Sequence, residues 1–196
     1  MITKEDLIKY FHQGCKAPNE LKIGVEHEKF LFNKKSNKRI DYQTIEKVLK
    51  FLEQFDWQPI KEKNKTVALK KQKKSITLEP GNQVELSGAP LNSIHLTCNE
   101  SYEFLDQLKK ACKIFDLKMM ATSYDPFSKL ESVPNTPKQR YEIMTDEMPK
   151  NGALSLEMMY QTCGTQINLD YTSEKDFIEK FKLSSFLVPL SIAIFA

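Results

Sequence analysis

Acidic side chains alternate with apolar ones in several short segments of this sequence, a pattern typical of β-strands with one polar face. In residues 23–32, Glu26 and Glu28 share a face with Phe30 and Phe32, which favours a partly enclosed setting. Carboxylates two residues apart on a strand lie roughly 7 Å apart at Cα, so both can reach one cation. Mg²⁺ prefers such oxygen ligands. The pair therefore indicates magnesium more than zinc, although the same spacing is also typical of a solvated strand face.

A second segment adds two carboxylates around a tight turn. Glu79 and Glu85 flank a Pro-Gly turn, and Gln83 shares the strand face of Glu85. Four carboxylates from two elements would hold two or more Mg²⁺ or Mn²⁺ ions, with the triphosphate of ATP between them. The sequence has no P-loop and no Gly-x-Gly-x-x-Gly motif. We therefore expect a nucleotide to be held through metal ions and a sheet surface.

Amide and guanidinium groups supply further candidates. In residues 165–171, Gln166 and Asn168 alternate with apolar side chains, as on any half-exposed strand. Arginine stands only at Arg39 and Arg140 among the 29 lysine and arginine residues. An arginine kept in such a lysine-rich chain indicates a need for its planar fork, for instance on a substrate carboxylate. We predict that role for Arg140, and no specific role for Arg39, which lies in a polar turn.

Composition narrows the class of protein. The 196 residues are 40% hydrophobic and 28% charged with a net charge of +3, which fits one soluble domain and favours neither nucleic acid nor a membrane. The lysine-rich residues 61–74 lack interleaved aromatic side chains, and we predict a solvated hairpin or loop there. Four scattered cysteines without a Cys-x-x-Cys pair predict reduced thiols in a cytoplasmic protein.

Helices must pack on the apolar faces of these strands to position the polar faces. Capping residues and 3.6-residue spacing predict five helices. They begin after Thr3, Thr44, Asn92, residue 137 and Ser173. These elements predict an α+β domain over residues 1–196, with an antiparallel sheet lining a cleft. The apolar residues 186–196 either pack back into the core or lack the partner they were meant to pack against.

Four longer motifs carry a resemblance to a known family. IGVEHEKF, ITLEPGNQVELSGAPL, KQRYEIM and MMYQTCGTQINLDYTSEKDFIEKF, in this order and spacing, resemble glutamate-cysteine ligases of the plant and proteobacterial type. The resemblance implies a fold like that of glutamine synthetase and the guanidino kinases, an antiparallel sheet curved into a funnel with outer helices. It also implies the first step of glutathione biosynthesis: ATP phosphorylates the γ-carboxylate of glutamate, and the amine of cysteine attacks the acyl phosphate. A related ligase acting on another amine is an alternative.

Residue by residue, the resemblance implies a metal and substrate site. The implied metal ligands are Glu26, Glu28, Glu79 and Glu85, and no catalytic residue is assigned beyond them. The predicted substrate- or nucleotide-binding residues are Gln83, Arg140, Gln166 and Asn168. The implied partners are glutamate, cysteine and ATP. Asn82 replaces the usual second glycine of the EPGG motif, and the turn should still form because asparagine tolerates left-handed backbone.

The resemblance covers nearly all of this chain but only about the first half of the family's enzymes. We therefore expect the N-terminal part of a single catalytic domain, truncated at its C-terminus. The sequence leaves open whether such a chain is active alone or is an inactive fragment that needs a separate C-terminal half.

Overall fold

The computed structural model describes residues 2–120 and 122–195, which form six α-helices and a seven-stranded sheet. The helices are α1 (Lys4–Gln13), α2 (Tyr42–Leu52), α3 (Ile94–Ile114), α4 (Gln139–Glu147), α5 (Ser155–Gln161) and α6 (Glu174–Phe195). The strands are β1 (Ile23–Asn33), β2 (Gln58–Glu62), β3 (Lys65–Lys71), β4 (Lys74–Leu78), β5 (Val84–Ser87), β6 (Leu117–Met120) and β7 (Thr165–Leu169). In this described part of the chain, no helix has the length and apolar character needed to cross a membrane.

The chain divides into two compact units, of which the smaller comprises the described residues up to 23 and from 168 onward. Its helix α1 begins at a capping box between Thr3 and Asp6 and ends at Gly14, as predicted. Helix α6 begins after Ser173, whose hydroxyl accepts a hydrogen bond from the N–H of Asp176 at 3.2 Å. Both caps follow from side chains that satisfy free N–H groups at a helix start.

The apolar second half of α6 stays on the surface. None of the described α6 residues is buried, and Phe186 is 81% exposed. Of the two alternatives for this run, packing back into the core is therefore wrong, and the other stays a prediction. Within α6, Pro189 removes one backbone donor.

The larger unit, residues 24–167, contains most of the sheet. The strand order is β2-β3-β4-β5-β1-β6, and β7 also pairs with β1. The pairs β1–β5, β1–β6, β2–β3, β3–β4 and β4–β5 are all antiparallel. This architecture confirms the predicted α+β class with an antiparallel sheet.

The two faces of β1 carry different side chains, as the alternation predicts. Leu31 belongs to the main core between the sheet and helices α2 and α3, whereas Phe30 and Phe32 pack with Cys163 in a second cluster. In the main core, the indole N–H of Trp57 donates to the side-chain carbonyl of Gln107 at 2.8 Å. Burial of these apolar faces fixes which way the polar side chains of the sheet point.

Several predicted boundaries shift by a few residues. Asp41 rather than Thr44 caps α2, because its carboxylate accepts the N–H of Thr44 at 2.9 Å and so starts the helix earlier. Ser93 rather than Asn92 caps α3, and α4 begins at Gln139. At α2 and α3 another short polar side chain takes the capping position.

The lysine-rich segment forms a hairpin, as predicted. Strands β2 and β3 are joined through Lys63 and Asn64, whose φ angles of 47° and 67° match the turn that suits the twist of paired strands. Strands β4 and β6 and helix α5 were absent from the sequence-based prediction. The four cysteines all lie in the described residues and are free thiols, as expected.

Candidate functional site

Strand register brings three of the predicted carboxylates together. Glu28 on β1 lies opposite Glu85 on β5, and Glu85 lies opposite Thr77 on β4. Glu79 directly follows the end of β4. We call Glu28, Glu79 and Glu85 the carboxylate cluster. Glu26 lies two residues before Glu28 on the same strand face, opposite Ser87.

The turn between β4 and β5 holds Glu79 in place. The N–H of Glu79 donates to the carbonyl of Gln83 at 2.9 Å, and the N–H of Asn82 donates to the carbonyl of Glu79 at 2.9 Å. Asn82 has a φ of 60°, in the left-handed region. Its side chain donates to the carbonyl of Ile40 and accepts from the hydroxyl of Thr136. The prediction that the turn forms with asparagine in the glycine position is confirmed.

Burial and nearby carboxylate charge raise the pKa of two members of the cluster. Burial raises the pKa of Glu79 to about 7, with the charges of Glu85 and Glu28 acting in the same direction. Burial also raises the pKa of Glu28, and the charges of Glu85 and Glu26 add to the rise. The N–H of Gly164 opposes it by donating to the Glu28 carboxylate at 2.8 Å. Burial and neighbouring negative charge thus disfavour the ionised forms of Glu79 and Glu28, and a bound cation would offset the second effect.

Cationic and phenolic groups from the start of α4 line the same end of β4. The Tyr141 hydroxyl lies 2.8 Å from the carbonyl of Leu78 and 3.3 Å from Oε1 of Glu79. Arg140 donates to that hydroxyl at 2.9 Å, and its Nη2 lies 3.9 Å from Oε1 of Glu79. Lys138 donates to the carbonyl of Leu78 at 2.6 Å. The predicted Arg140 therefore lies beside the carboxylate cluster with most of its side chain exposed.

Sequence reasoning missed Lys138. Burial lowers its pKa, while the charges of Glu79 and Glu85 favour its charged form. One lysine cannot be singled out in a sequence so rich in lysine. Its position in the KQRY motif beside Arg140 was the only available signal.

Gln83 lies next to the cluster but its amide is used inside the protein. The residue is 1% exposed. Its Nε2 donates to the carbonyls of Thr162 and Met159, and its Oε1 accepts from the N–H of Gly81 at 2.8 Å. These bonds join the β4–β5 turn to the end of α5. In this arrangement Gln83 positions the turn.

The two amides of β7 are the remaining predicted substrate-binding residues. Gln166 is exposed on the part of β7 that belongs to the larger unit. Asn168 belongs to the smaller unit, where it is also exposed. The substrate-binding role of these two residues stays a prediction.

Arg39 has a specific structural role, so the prediction of none is wrong. Its guanidinium forms a buried ion pair with Asp125, with Nη1 and Oδ2 3.1 Å apart. It also donates to the carbonyl of Gly81 and lies 4.2 Å from the ring centre of Phe30. The expectation that an arginine is kept for its planar guanidinium therefore applies to Arg39, which joins the Gly81 turn to the loop at Asp125.

Asp125 receives further support from its own loop. Burial by itself would raise the pKa of Asp125, but hydrogen bonds from the N–H groups of Phe127 and Ser128, with that of Arg39, bring it below its usual value. The buried carboxylate is thereby fully paired, as buried charges must be.

The donor chemistry of the cluster fits a hard divalent cation. All its ligand atoms would be carboxylate oxygens, and their mutual repulsion would be relieved by positive charge. Within the described residues, no three acidic, histidine or cysteine side chains converge closely enough to hold a metal ion between them. Water and phosphate oxygens commonly complete the coordination of Mg²⁺ in such sites.

Comparison with known proteins reveals extensive similarity to plant enzymes. The chain is 45% identical over 196 residues to chloroplastic glutamate-cysteine ligase A of Oryza sativa subsp. japonica, covering 100% of this chain and 40% of that protein. It is 43% identical to the chloroplastic glutamate-cysteine ligase of Nicotiana tabacum and 42% identical to that of Arabidopsis thaliana, covering all of this chain and 38% of each relative. The chain thus spans about two fifths of the length of these relatives.

These comparisons contradict the predicted localisation and confirm the predicted family. The expectation of a cytoplasmic protein is contradicted, since each of these relatives is a chloroplastic enzyme. The model of glutamate-cysteine ligase family 2 matches residues 22–196, which include the carboxylate cluster and the KQRY motif. With most of its length matched and the predicted motifs in place, the chain belongs to glutamate-cysteine ligase family 2.

Proposed function

We propose that this chain supplies the metal–nucleotide and glutamate site of a glutamate-cysteine ligase, which catalyses the first step of glutathione biosynthesis. The observation that carries the proposal is the carboxylate cluster with Lys138 and Arg140 beside it, in a member of this ligase family. Because the chain spans about two fifths of its relatives, activity of these 196 residues by themselves is a separate question.

In the proposed reaction, the γ-carboxylate of glutamate attacks the terminal phosphorus of ATP, giving γ-glutamyl phosphate and ADP. The amine of cysteine then attacks the acyl carbon, loses a proton and expels phosphate, and γ-glutamylcysteine forms. When bound, Mg²⁺ would neutralise charge on the phosphate oxygens. Glu28, Glu79 and Glu85 would share two or more such ions with the phosphate oxygens, and Glu26 would contribute from the same strand face.

The chain's cationic residues would orient the substrates. Arg140 would pair with a substrate carboxylate through its exposed guanidinium, which lies beside the cluster. Lys138 would hold the end of β4 through Leu78 and so fix the backbone before Glu79. Such positioning contributes much of the rate in phosphoryl transfer, where the protein takes little part in bond making.

The finer architecture is part of the same proposal. We place the antiparallel sheet in a funnel of the glutamine synthetase and guanidino kinase kind, with its polar face lining the substrate space. The support is a polar row across three neighbouring strands, formed by Glu28, Glu85 and Thr77, opposite a face buried under α2 and α3.

Magnesium-dependent ATP binding by the full chain tests the proposal. Isothermal titration calorimetry should detect heat with ATP in Mg²⁺ and much less without Mg²⁺. We expect Glu28→Gln to weaken this binding at least about tenfold, since loss of even a partner of a metal ligand costs about 10–100-fold. The thermal midpoint should not fall, because Gln removes a charge that burial disfavours. Glu131→Gln, which alters an exposed carboxylate away from the cluster, is the matched control. Equal affinities of these two variants would refute the metal assignment.

Product analysis distinguishes the remaining alternatives. Formation of γ-glutamylcysteine from glutamate, cysteine and ATP by this chain would exclude an inactive fragment. Ligation of another amine in preference to cysteine would instead support a related glutamate-amine ligase. In either active case, Glu28→Gln should abolish ADP release.

A further inference from the structure

Two hydroxyl groups converge on one oxygen of Glu85. The Thr77 hydroxyl donates to Oε1 of Glu85 at 2.8 Å from the opposite strand, and the Ser87 hydroxyl donates to the same atom at 2.5 Å. These O–H···O distances lie at or near the range of charge-assisted hydrogen bonds. Both hydroxyl groups bind Oε1, so Oε2 is the oxygen that Thr77 and Ser87 leave for a ligand.

The strand pairing makes this arrangement rigid. Thr77 is the direct cross-strand partner of Glu85, and Ser87 follows on the same face of β5. Glu85 is 7% exposed, so water competes little for these bonds. A carboxylate with one oxygen held by two donors loses less rotational freedom when its other oxygen binds a ligand.

We infer that Thr77 and Ser87 are positioning residues that hold Glu85 through Oε1, so that it offers Oε2 alone to a divalent cation. This inference rests on the proposed function, because it assigns the cluster a metal. It adds two residues that the motif comparison did not assign, and it states which carboxylate oxygen binds. Partners of metal ligands commonly set ligand orientation and thereby affinity.

Titration of the full chain with Mn²⁺ alone, followed by calorimetry, tests the inference without requiring turnover. We expect Thr77→Val and Ser87→Ala each to weaken Mn²⁺ binding about tenfold, the lower range for loss of such a partner. Thr77→Ser keeps the hydroxyl and should retain the affinity of the unaltered chain. Circular dichroism melts establish that each variant folds. If Thr77→Val does not fold, the Mn²⁺ affinity of Ser87→Ala decides the question.

Ser75 provides a matched control. It lies on the same face of β4 as Thr77 and directly opposite Ser87, but it does not donate to Glu85. Ser75→Ala should therefore leave Mn²⁺ affinity unchanged. A loss equal to that of Ser87→Ala would indicate a general effect on the sheet and would overturn the inference.

The reference variant Glu85→Gln distinguishes failure of the positioning role from failure of the metal site. If it loses Mn²⁺ binding while Thr77→Val and Ser87→Ala retain it, the positioning role is overturned and the metal site stands. If the unaltered chain binds no Mn²⁺, the proposed function and this inference both fail.

Discussion

Removing the Arg39 guanidinium should strongly destabilise the larger unit. The Arg39 and Asp125 side chains are 1% and 0% exposed, and their closest charged atoms are 3.1 Å apart. Arg39→Met would leave the Asp125 carboxylate buried without its partner. Breaking a buried pair on one side costs about 3–5 kcal/mol. Since domains of this size are stable by about 5–15 kcal/mol, the loss would be a large part of the total.

A double-mutant cycle measures how much of this loss belongs to the pair. Asp125→Leu leaves the guanidinium unpaired, whereas the double variant Arg39→Met with Asp125→Leu buries no unmatched charge. The double variant still loses the bonds to the Gly81 carbonyl and to the N–H groups of Phe127 and Ser128. We therefore expect it to be less destabilised than the sum of the single variants, by a coupling energy of about 1–3 kcal/mol.

Urea unfolding provides the assay, with far-ultraviolet circular dichroism and the fluorescence of Trp57, the only tryptophan, as probes. Coincident transitions from the two probes would justify the two-state analysis. Losses below about 1 kcal/mol in both single variants would refute the argument from burial. Strict additivity in the double variant would show that the two charges do not interact.

Three further effects follow from buried contacts in the same unit. The pKa of Asp125 lies below its usual value, so its ionised form stabilises the folded state fully above an unfolded pKa of about 3.9. This contribution is lost as pH falls through the lower folded pKa. The free energy of unfolding of Asp125→Asn should therefore fall less steeply below about pH 4, as measured by acid unfolding. Asn82→Ala loses two side-chain hydrogen bonds at a φ of 60° and should lower the free energy of unfolding by about 1–3 kcal/mol. Asn82→Gly should cost about 1 kcal/mol less, because glycine adopts a left-handed backbone without strain. Equal thermal midpoints of these two variants would contradict the role assigned to the backbone conformation. Trp57→Phe leaves the buried carbonyl oxygen of Gln107 without its donor and should cost about 1–3 kcal/mol by circular dichroism, and an unchanged midpoint would show that this bond is not needed.

Local patterns in the sequence determined the faces of β1 and the starts of α1 and α6. Alternation along β1 separated Leu31 from Phe30 and Phe32, and the structure puts them in different clusters. Capping residues located α1 and α6, because a cap is a contact between residues three apart. The same alternation put Glu28 and Glu85 on polar faces, as strand geometry requires.

Contacts between distant parts of the chain were decided only by tertiary structure. Arg39 pairs with Asp125, 86 residues away, and Lys138 donates to Leu78, 60 residues away. Neither partner is marked by spacing, since a buried ion pair depends on which loops the folded sheet brings together. Gln83 shared the predicted face with Glu85, yet its amide binds backbone from the end of α5. The sequence alone determined the residue types of the candidate site. Packing determined which of these groups support the turn, because that depends on long-range strand register and loop docking.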